Sequence, residues 1–536
     1  MTFCLIQSPN EISIQTEEGW QALRGEEQGI WSHRDIEVRS MVHSQELLVS
    51  VESLNTPLMF IKMRWNFRLE GKLLVLADHW ERAYGDLEWR GIVPERIMPW
   101  YFLTNNGHVT NGYGVRTGPS AFCSWQLDQE GLTFTADIRN GHAGVLLNGR
   151  KLEVAKIVMH EGTKRQSAFV EAQRFCKIMC EKPIMPSQPV YGGNNWYYAY
   201  GNSSHEQILN DSRFISSLAG PLENRPFMII DDGWQKASGG GACNGGPWIG
   251  NGLFPDMTGL ASEIKEIGVR PGIWCRPLML SGEVPEEWVR YVPSPNGKIL
   301  DPSVPDVLAF ISESVQTMSS WGYELIKHDF TTFDLLGKWG FQMKSQTNGL
   351  SHMFRDRSLT TAEITLNLYR TIAEASGSSL LIGCNTIGHL AAGLVEIQRT
   401  GDDTSGKSWE RTRYMGVNTL AFRMAQHGTF FSHDADCIGI TEQIPWEMNK
   451  QWLELLAGSG TPLFVSVDPS IVTKEQETEL RAAFKLASQR LPLGEPLDWL
   501  ETTCPSRWLL NGTMTTFEWN KKSLNLPAIE DNHWWL

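Results

Sequence analysis

PFMIIDDGWQ, residues 226–235, sets an apolar run against two carboxylates and a glycine. A run of that kind, ending abruptly in charge, reads as a strand buried on both faces whose C-terminal end opens on a polar loop. The same grammar recurs in PVYGGNNWYYAY (189–200), VRPGIWCRPL (269–278), YELIKHDF (323–330), SLLIGCNT (379–386), VEIQRTGDD (395–403), GTFFSHD (428–434) and PLFVSVD (462–468). Amphipathic stretches such as SSHEQILNDSRFISSLAG (203–220) and TAEITLNLYRTIAEASG (361–377) lie between them. Eight strands, each followed by a crossover, predict an α/β fold, a (β/α)8 TIM barrel over residues 187–490. An open doubly wound sheet is written in the same grammar, and eight strands rather than five or six favour the barrel.

Upstream the pattern changes. Segments such as EISIQ (11–15), HSQELLVSVES (43–53) and GLTFTADIRNG (131–141) alternate polar and apolar residues between turn signals. This predicts an N-terminal β-sandwich domain over 1–186, closed by a helix within TKRQSAFVEAQRFCKIMCEK (163–182) and bounded by Pro183, Pro186 and Pro189. Past the barrel, EPLDWLETTCPSRWLLNGTMTTFEWN (495–520) predicts further strands, a small C-terminal β domain over 491–536. A chain of 536 residues exceeds what one core usually organises, which suits three parts.

Composition excludes several functions. Acidic residues outnumber Lys and Arg by 61 to 47, a net charge of −14, the wrong sign for gripping nucleic acid or an anionic membrane. MTFCLIQSPN has no basic segment followed by an apolar core, and no apolar run is long enough to span a bilayer, so a cytoplasmic protein is expected. Nine scattered cysteines do not form a disulfide framework, and most should be free thiols. Tryptophan, at 22 residues, outnumbers tyrosine two to one, and flat aromatic faces are what sugar rings stack on. Oligomeric state is not readable from the sequence.

In a barrel the C-terminal ends of the strands line the site. Here those ends carry Asp231 and Asp232, Asp329, and Asp402 with Asp403. Gathering carboxylates from three strands is costly unless the site uses them, since like charges raise one another's pKa; helix capping is the plain alternative for any one of them. Lys327, two residues before Asp329 and on the same strand face, can hold that carboxylate ionised as a nucleophile or base. Two carboxylates across a pocket with aromatic walls are what glycoside hydrolysis requires, and Trp196, Trp234 and Trp274 fall near strand ends.

The segments IDDGWQ (230–235), KHD (327–329) and RTGDD (399–403), in that order and on those strands, resemble the α-galactosidases of glycoside hydrolase clan D. Family 36 is nearer than family 27, because a large β-sandwich precedes the barrel. The resemblance implies a retaining exo-glycosidase that hydrolyses terminal α-galactosyl residues by double displacement, a small carbohydrate substrate, and no cofactor or metal. By motif position it implies Asp329 as nucleophile and Asp403, four residues after Arg399, as acid/base, with Asp402 as the alternative. It implies that Asp231 and Asp232 bind the O4 and O6 of galactose, that Lys327 and Arg399 neighbour the hydroxyls, and that Trp196 and Trp274 stack on the ring. The loops GGNNWYYAYGN and WCRPLML depart from the family pattern. They leave open an α-N-acetylgalactosaminidase or a transglycosylase of the raffinose-synthase kind; a catalytically silent sugar-binding protein is the alternative from a different class.

Three motifs compete with this reading. GDDTSGKS (401–408) satisfies the phosphate-loop pattern G-x-x-x-x-G-K-[ST], yet it would place Asp402 and Asp403 inside the cradle, where they repel phosphate. His433, Asp434, Asp436 and Cys437 mix hard and soft donors without a second cluster to complete a metal site. The glycine-rich SGGGACNGG (238–246) lacks lysine and reads as a loop over the barrel mouth.

Overall fold

The computed structural model describes residues 3–26, 29–236, 244–294 and 297–520. Most of the glycine-rich segment, residues 238–243, lies outside them. Two antiparallel sheets occupy the N-terminal part. One has six strands, including Glu11–Thr16, Phe60–Asn66, Phe122–Asp128 and Gly131–Asp137; the other has eight, including Ile36–His43, Glu46–Ser53, Tyr101–Asn105, Thr110–Val115 and Leu152–His160. Alternation decides which face turns inward: in the first strand Ile12 and Ile14 are buried while Glu11 is exposed. The inner faces meet through Trp125 and Phe102, whose ring centroids lie 6.0 Å apart. Helix Ala168–Met179, its start capped by the Ser167 side chain, packs Phe175 against Tyr101 of the larger sheet.

A curled parallel sheet of nine strands follows. In spatial order these are Ser432–Asp434, Ile397–Arg399, Leu380–Gly383, Leu325–His328, Arg270–Cys275, Phe227–Ile230, Tyr191–Asn194, Leu463–Ser466 and Cys437–Gly439. All eight segments read as strands contribute, but the seventh is split. Ser432–Asp434 pairs with Ile397–Arg399, and Cys437–Gly439 pairs with Leu463–Ser466. Only Ala435 and Asp436 separate the two edge strands in the chain, and Asp436 takes a left-handed φ of 74° at the break. Phe227, Ile229, Leu325, Ile382, Ile397 and Phe464 form a cluster apart from the main core. Period-two alternation carries that same face upward to Asp231, Lys327, Asp329 and Arg399, so the strand register itself delivers these groups to one end of the sheet.

The crossovers depart from a regular repeat. Helices His205–Ala219, Met257–Glu266, Pro305–Ser320, Thr361–Ala375, Trp446–Ser459 and Lys474–Ala487 cover the sheet. Between Leu380–Gly383 and Ile397–Arg399, however, there is only the four-residue helix Gly388–Ala391. The N-terminal sheets cover this position instead. Trp100 stacks on His389 at 5.0 Å, the His389 ring bonds to the Val115 carbonyl at 2.9 Å, and the Gly118 N–H donates to the His389 carbonyl at 2.9 Å. With that apolar surface covered from outside, a full crossover helix has nothing left to bury. A three-stranded antiparallel sheet, Glu495–Pro496, Arg507–Leu510 and Thr513–Thr516, ends the described chain. The eight described cysteines are free thiols, and no helix among the described residues is long and apolar enough to cross a membrane.

A buried ion pair joins the two large parts. Asp78, just after strand Leu74–Ala77, accepts from Arg423 at 2.7 Å and from Gln426 Nε2 at 2.8 Å. Asp78→Ala leaves the buried Arg423 guanidinium without its ionic partner, though still bonded to the Thr400 and Glu81 carbonyls, and a loss of about 3–5 kcal/mol is expected in chemical denaturation. Adding Arg423→Met should recover much of that loss.

Candidate active site

Two ladders of charge stand over the inner cluster. On the first, Lys327 Nζ meets Asp231 Oδ2 at 2.7 Å, and Asn194 Nδ2 donates to the same oxygen at 2.7 Å. The Asp231 N–H donates to Asn195 Oδ1 at 2.8 Å, locking this strand end to its neighbour. Burial works against the Lys327 ammonium, but Asp231 outweighs it and holds the lysine charged well beyond its usual range. Asp232 accepts from Gln235 Nε2 at 2.6 Å, and burial next to Asp231 pushes its carboxyl up to about 6. Asp329 is aimed by two donors, Trp274 Nε1–H on Oδ2 at 3.3 Å and the Phe330 N–H on Oδ1 at 2.7 Å.

The second ladder separates Asp402 from Asp403. Asp402 has 3% of its side chain exposed and is clasped by Arg82 at 2.7 Å and Arg411 at 2.9 Å. Asp403 keeps 27% exposed and meets Arg399 Nη2 at 3.1 Å. Burial raises both carboxyls. At Asp402 it prevails; at Asp403 the charges of Arg399, Arg82, Lys327 and Arg411 overcome it and bring the carboxyl down to about 2. Gly401 is required by close approach here, since a Cβ would lie 2.3 Å from the Met415 carbonyl.

Seven of the eight site residues read from sequence stand in these contacts. Trp196, the eighth, is partly buried at the first strand's end beside the more exposed Tyr200, with ring centroids 5.4 Å apart. Two tryptophans need correction. Trp274 is 1% exposed, so it offers Asp329 its indole edge in place of a stacking face. Trp234 is fully buried, packed between Trp248 and Trp321 with its N–H on the Trp274 carbonyl, so it is core and not pocket wall.

Sequence reasoning missed several residues. Asp436, weighed above only as a metal donor, holds Arg399 at 3.1 Å, accepts the Thr404 N–H at 2.8 Å and bonds to the Tyr197 hydroxyl. Among the described residues no cluster of His, Cys, Asp and Glu could hold a metal. Glu81 and Arg82 reach the site from the N-terminal sheets. Glu81 accepts the Gly340 N–H at 2.7 Å and bonds to Asn385. Lys407, the lysine of the phosphate-loop pattern, lies over the Tyr200 ring, 4.0 Å from its centroid.

The curled parallel sheet carries carboxylates at its C-terminal ends. Comparison with solved structures places this fold. The α-galactosidase TtGalA of Thermus thermophilus, in complex with p-nitrophenyl α-D-galactopyranoside, matches 95% of this chain and 99% of its own with TM-score 0.60 and 15% identity. A variant of the family 36 α-galactosidase AgaA of Geobacillus stearothermophilus, in complex with 1-deoxygalactonojirimycin, matches 94% and 79% with TM-score 0.63 and 15% identity. The chain thus has the fold of the family 36 α-galactosidases. Among curated proteins AgaA is 28% identical over 195 residues, which are 34% of this chain and only 25% of AgaA. No protein-family model matches.

Asp232 predicts a pH signature. Its folded carboxyl, at about 6, lies above the unfolded value of 3.8, so between those values the folded state binds the extra proton and stability falls as pH rises. Asp232→Asn should therefore melt higher than wild type at neutral pH, with the difference shrinking as pH falls below 6. Equal melting curves across this range would contradict it.

Proposed function

We propose that the protein is a retaining exo-glycosidase that hydrolyses terminal α-galactosyl residues by double displacement. The observation that carries this reading is the contrast between its two carboxylates. Asp329 is aligned through both oxygens by neutral donors, while Asp403 is the more exposed member of its pair. In the proposed reaction Asp329 attacks the anomeric carbon as the bond to the leaving oxygen breaks, and Asp403 protonates that oxygen. The glycosyl-enzyme ester is then cleaved by water that Asp403 deprotonates. Asp403, held low in the free protein by the surrounding arginines and Lys327, takes up a proton from solvent as the sugar binds, because the bound sugar deepens the burial that raises its carboxyl; that proton is the one passed to the leaving oxygen.

In this reading Asp231 and Asp232 accept from the O4 and O6 hydroxyls, Lys327 and Arg399 face the remaining hydroxyls, Trp196 packs on the ring and Trp274 steadies the nucleophile. Charged acceptors of this kind reject the glucose epimer, because an unmatched hydroxyl leaves them desolvated and unpaired. The sheet acts as a closed (β/α)8 barrel over 187–490, with β domains over 1–186 and 491–536. Support for the substrate comes from the neighbours, whose structures include complexes with raffinose and stachyose.

Purified protein assayed on nitrophenyl α-galactoside, α-N-acetylgalactosaminide and α-glucoside tests the reading. Galactoside should exceed glucoside by at least about 10²-fold in kcat/KM, with α-galactose as the first product seen by NMR. Preference for the acetamido sugar would make it an N-acetylgalactosaminidase, and no turnover would leave a sugar binder.

Asp329→Asn should lower kcat by roughly 10³-fold or more while the protein still folds. Asp403→Ala should cost far more on raffinose than on the nitrophenyl galactoside, with azide restoring turnover of the latter as an α-glycosyl azide. Asp402→Asn should lower thermal stability without azide rescue. Rescue of the Asp402 variant alone would exchange the two roles.

A further inference from the structure

The segment DHWERAYGDLEWR, residues 78–90, leaves the larger N-terminal sheet and lies along the mouth of the parallel sheet. It is fastened as an extra strand would be. The Ala83 N–H donates to the Thr400 carbonyl at 2.8 Å, and the Asp402 N–H donates to the Ala83 carbonyl at 3.1 Å. Farther along, Asn418 exchanges hydrogen bonds with the backbone N–H and carbonyl of Leu87. The segment is therefore joined to the backbone immediately before Asp403 and cannot shift without moving it.

Arg82 is the charge this segment delivers. Its side chain is 3% exposed, its guanidinium lies 5.3 Å from the centroid of the Trp339 ring, and Nη2 reaches Asp402 Oδ1 at 2.7 Å. Nη1 lies 3.9 Å from Asp403 Oδ1, the same oxygen that Arg399 meets at 3.1 Å. Two guanidiniums, one from a barrel strand and one from the N-terminal sheets, thus converge on one oxygen of the proposed acid/base. Arg399 donates a hydrogen bond to that oxygen and Arg82 adds a second positive charge beside it, so Oδ1 is drawn to the cations and the oxygen left for a leaving group is Oδ2.

We propose that Arg82 is a positioning residue for the reaction: carried in by the N-terminal sheets, it holds Asp403 Oδ1 together with Arg399 and so presents Oδ2 to the glycosidic oxygen. The inference rests on the glycosidase reading above and makes the N-terminal sheets a working part of the site. Arg82 touches no substrate atom in this scheme; it acts through Asp403.

The test compares Arg82→Met and Arg82→Lys with wild type on raffinose, whose leaving group needs a proton, and on p-nitrophenyl α-galactoside, whose leaving group does not. Misplacing the acid should penalise raffinose selectively. We expect Arg82→Met to lose at least about ten-fold more kcat/KM on raffinose than on the nitrophenyl substrate, and Arg82→Lys, which keeps the charge, to recover most of that difference. If Arg82→Met does not fold, Arg82→Met with Asp402→Asn removes both charges of the buried pair, and the same selective loss is expected. Equal losses on the two substrates by an active wild type's variants would overturn the positioning role alone. A wild type inactive on both galactosides would overturn the glycosidase reading and this inference with it.

Discussion

Carboxylates crowd the C-terminal end of the parallel sheet, and the rest of the site is arranged to answer their charge. Asp231, Asp329, Asp402, Asp403, Asp434 and Asp436 all stand there. Each desolvated acid costs several kcal/mol unless a cation or donor answers it. The answers are buried and specific: Lys327 for Asp231, Arg399 for Asp403 and Asp436, Arg82 and Arg411 for Asp402. Asp329 is held by an indole and a backbone N–H, and Asp434 accepts the Asp436 N–H; neither forms an ion pair among the described residues.

Where the answering charges lie on the chain has structural consequences. Lys327 and Arg399 come from strands of the parallel sheet and share the inward face with Leu325 and Ile397, so ordinary strand alternation places them. Arg82 does not; it requires the N-terminal sheets to dock against the flank of the parallel sheet. That docking also accounts for the shortened connection around Gly388–Ala391, since Trp100 and Val115 cover the surface that a longer helix would bury. One interface therefore covers one side of the parallel sheet and supplies a cation to its C-terminal end. The buried pairing of Asp78 with Arg423 fixes the same interface a few residues away.

Burial also redistributes function among the aromatic residues. Trp234 and Trp274 both stand near strand ends, which is where sugar platforms are found, but both are enclosed by neighbouring rings and strands. Only the N–H of Trp274 reaches the site. Trp196 and Tyr200, set in the short turn after the first strand, are less enclosed and flank the same end of the sheet.

By itself the sequence determined the buried parallel strands, because uninterrupted apolar runs ending in Asp are legible at short range. It determined which acids sit at those ends, and it placed Arg399 four residues before the Asp403 it meets; Lys327, read beside Asp329, instead pairs with Asp231 from a neighbouring strand, a partner that no short spacing reveals. The N-terminal antiparallel sheets were legible from alternation in the same way. Only the tertiary structure decided the split of the seventh strand at Asp436, the loss of a full crossover before Ile397, the enclosure of Trp234, and the clasp of Asp402 by Arg82. Each of these depends on residues brought together from distant parts of the chain. Arg82 and Asp402 are about 320 positions apart, and a contact of that kind leaves no period, spacing or composition for a reader of one sequence to find.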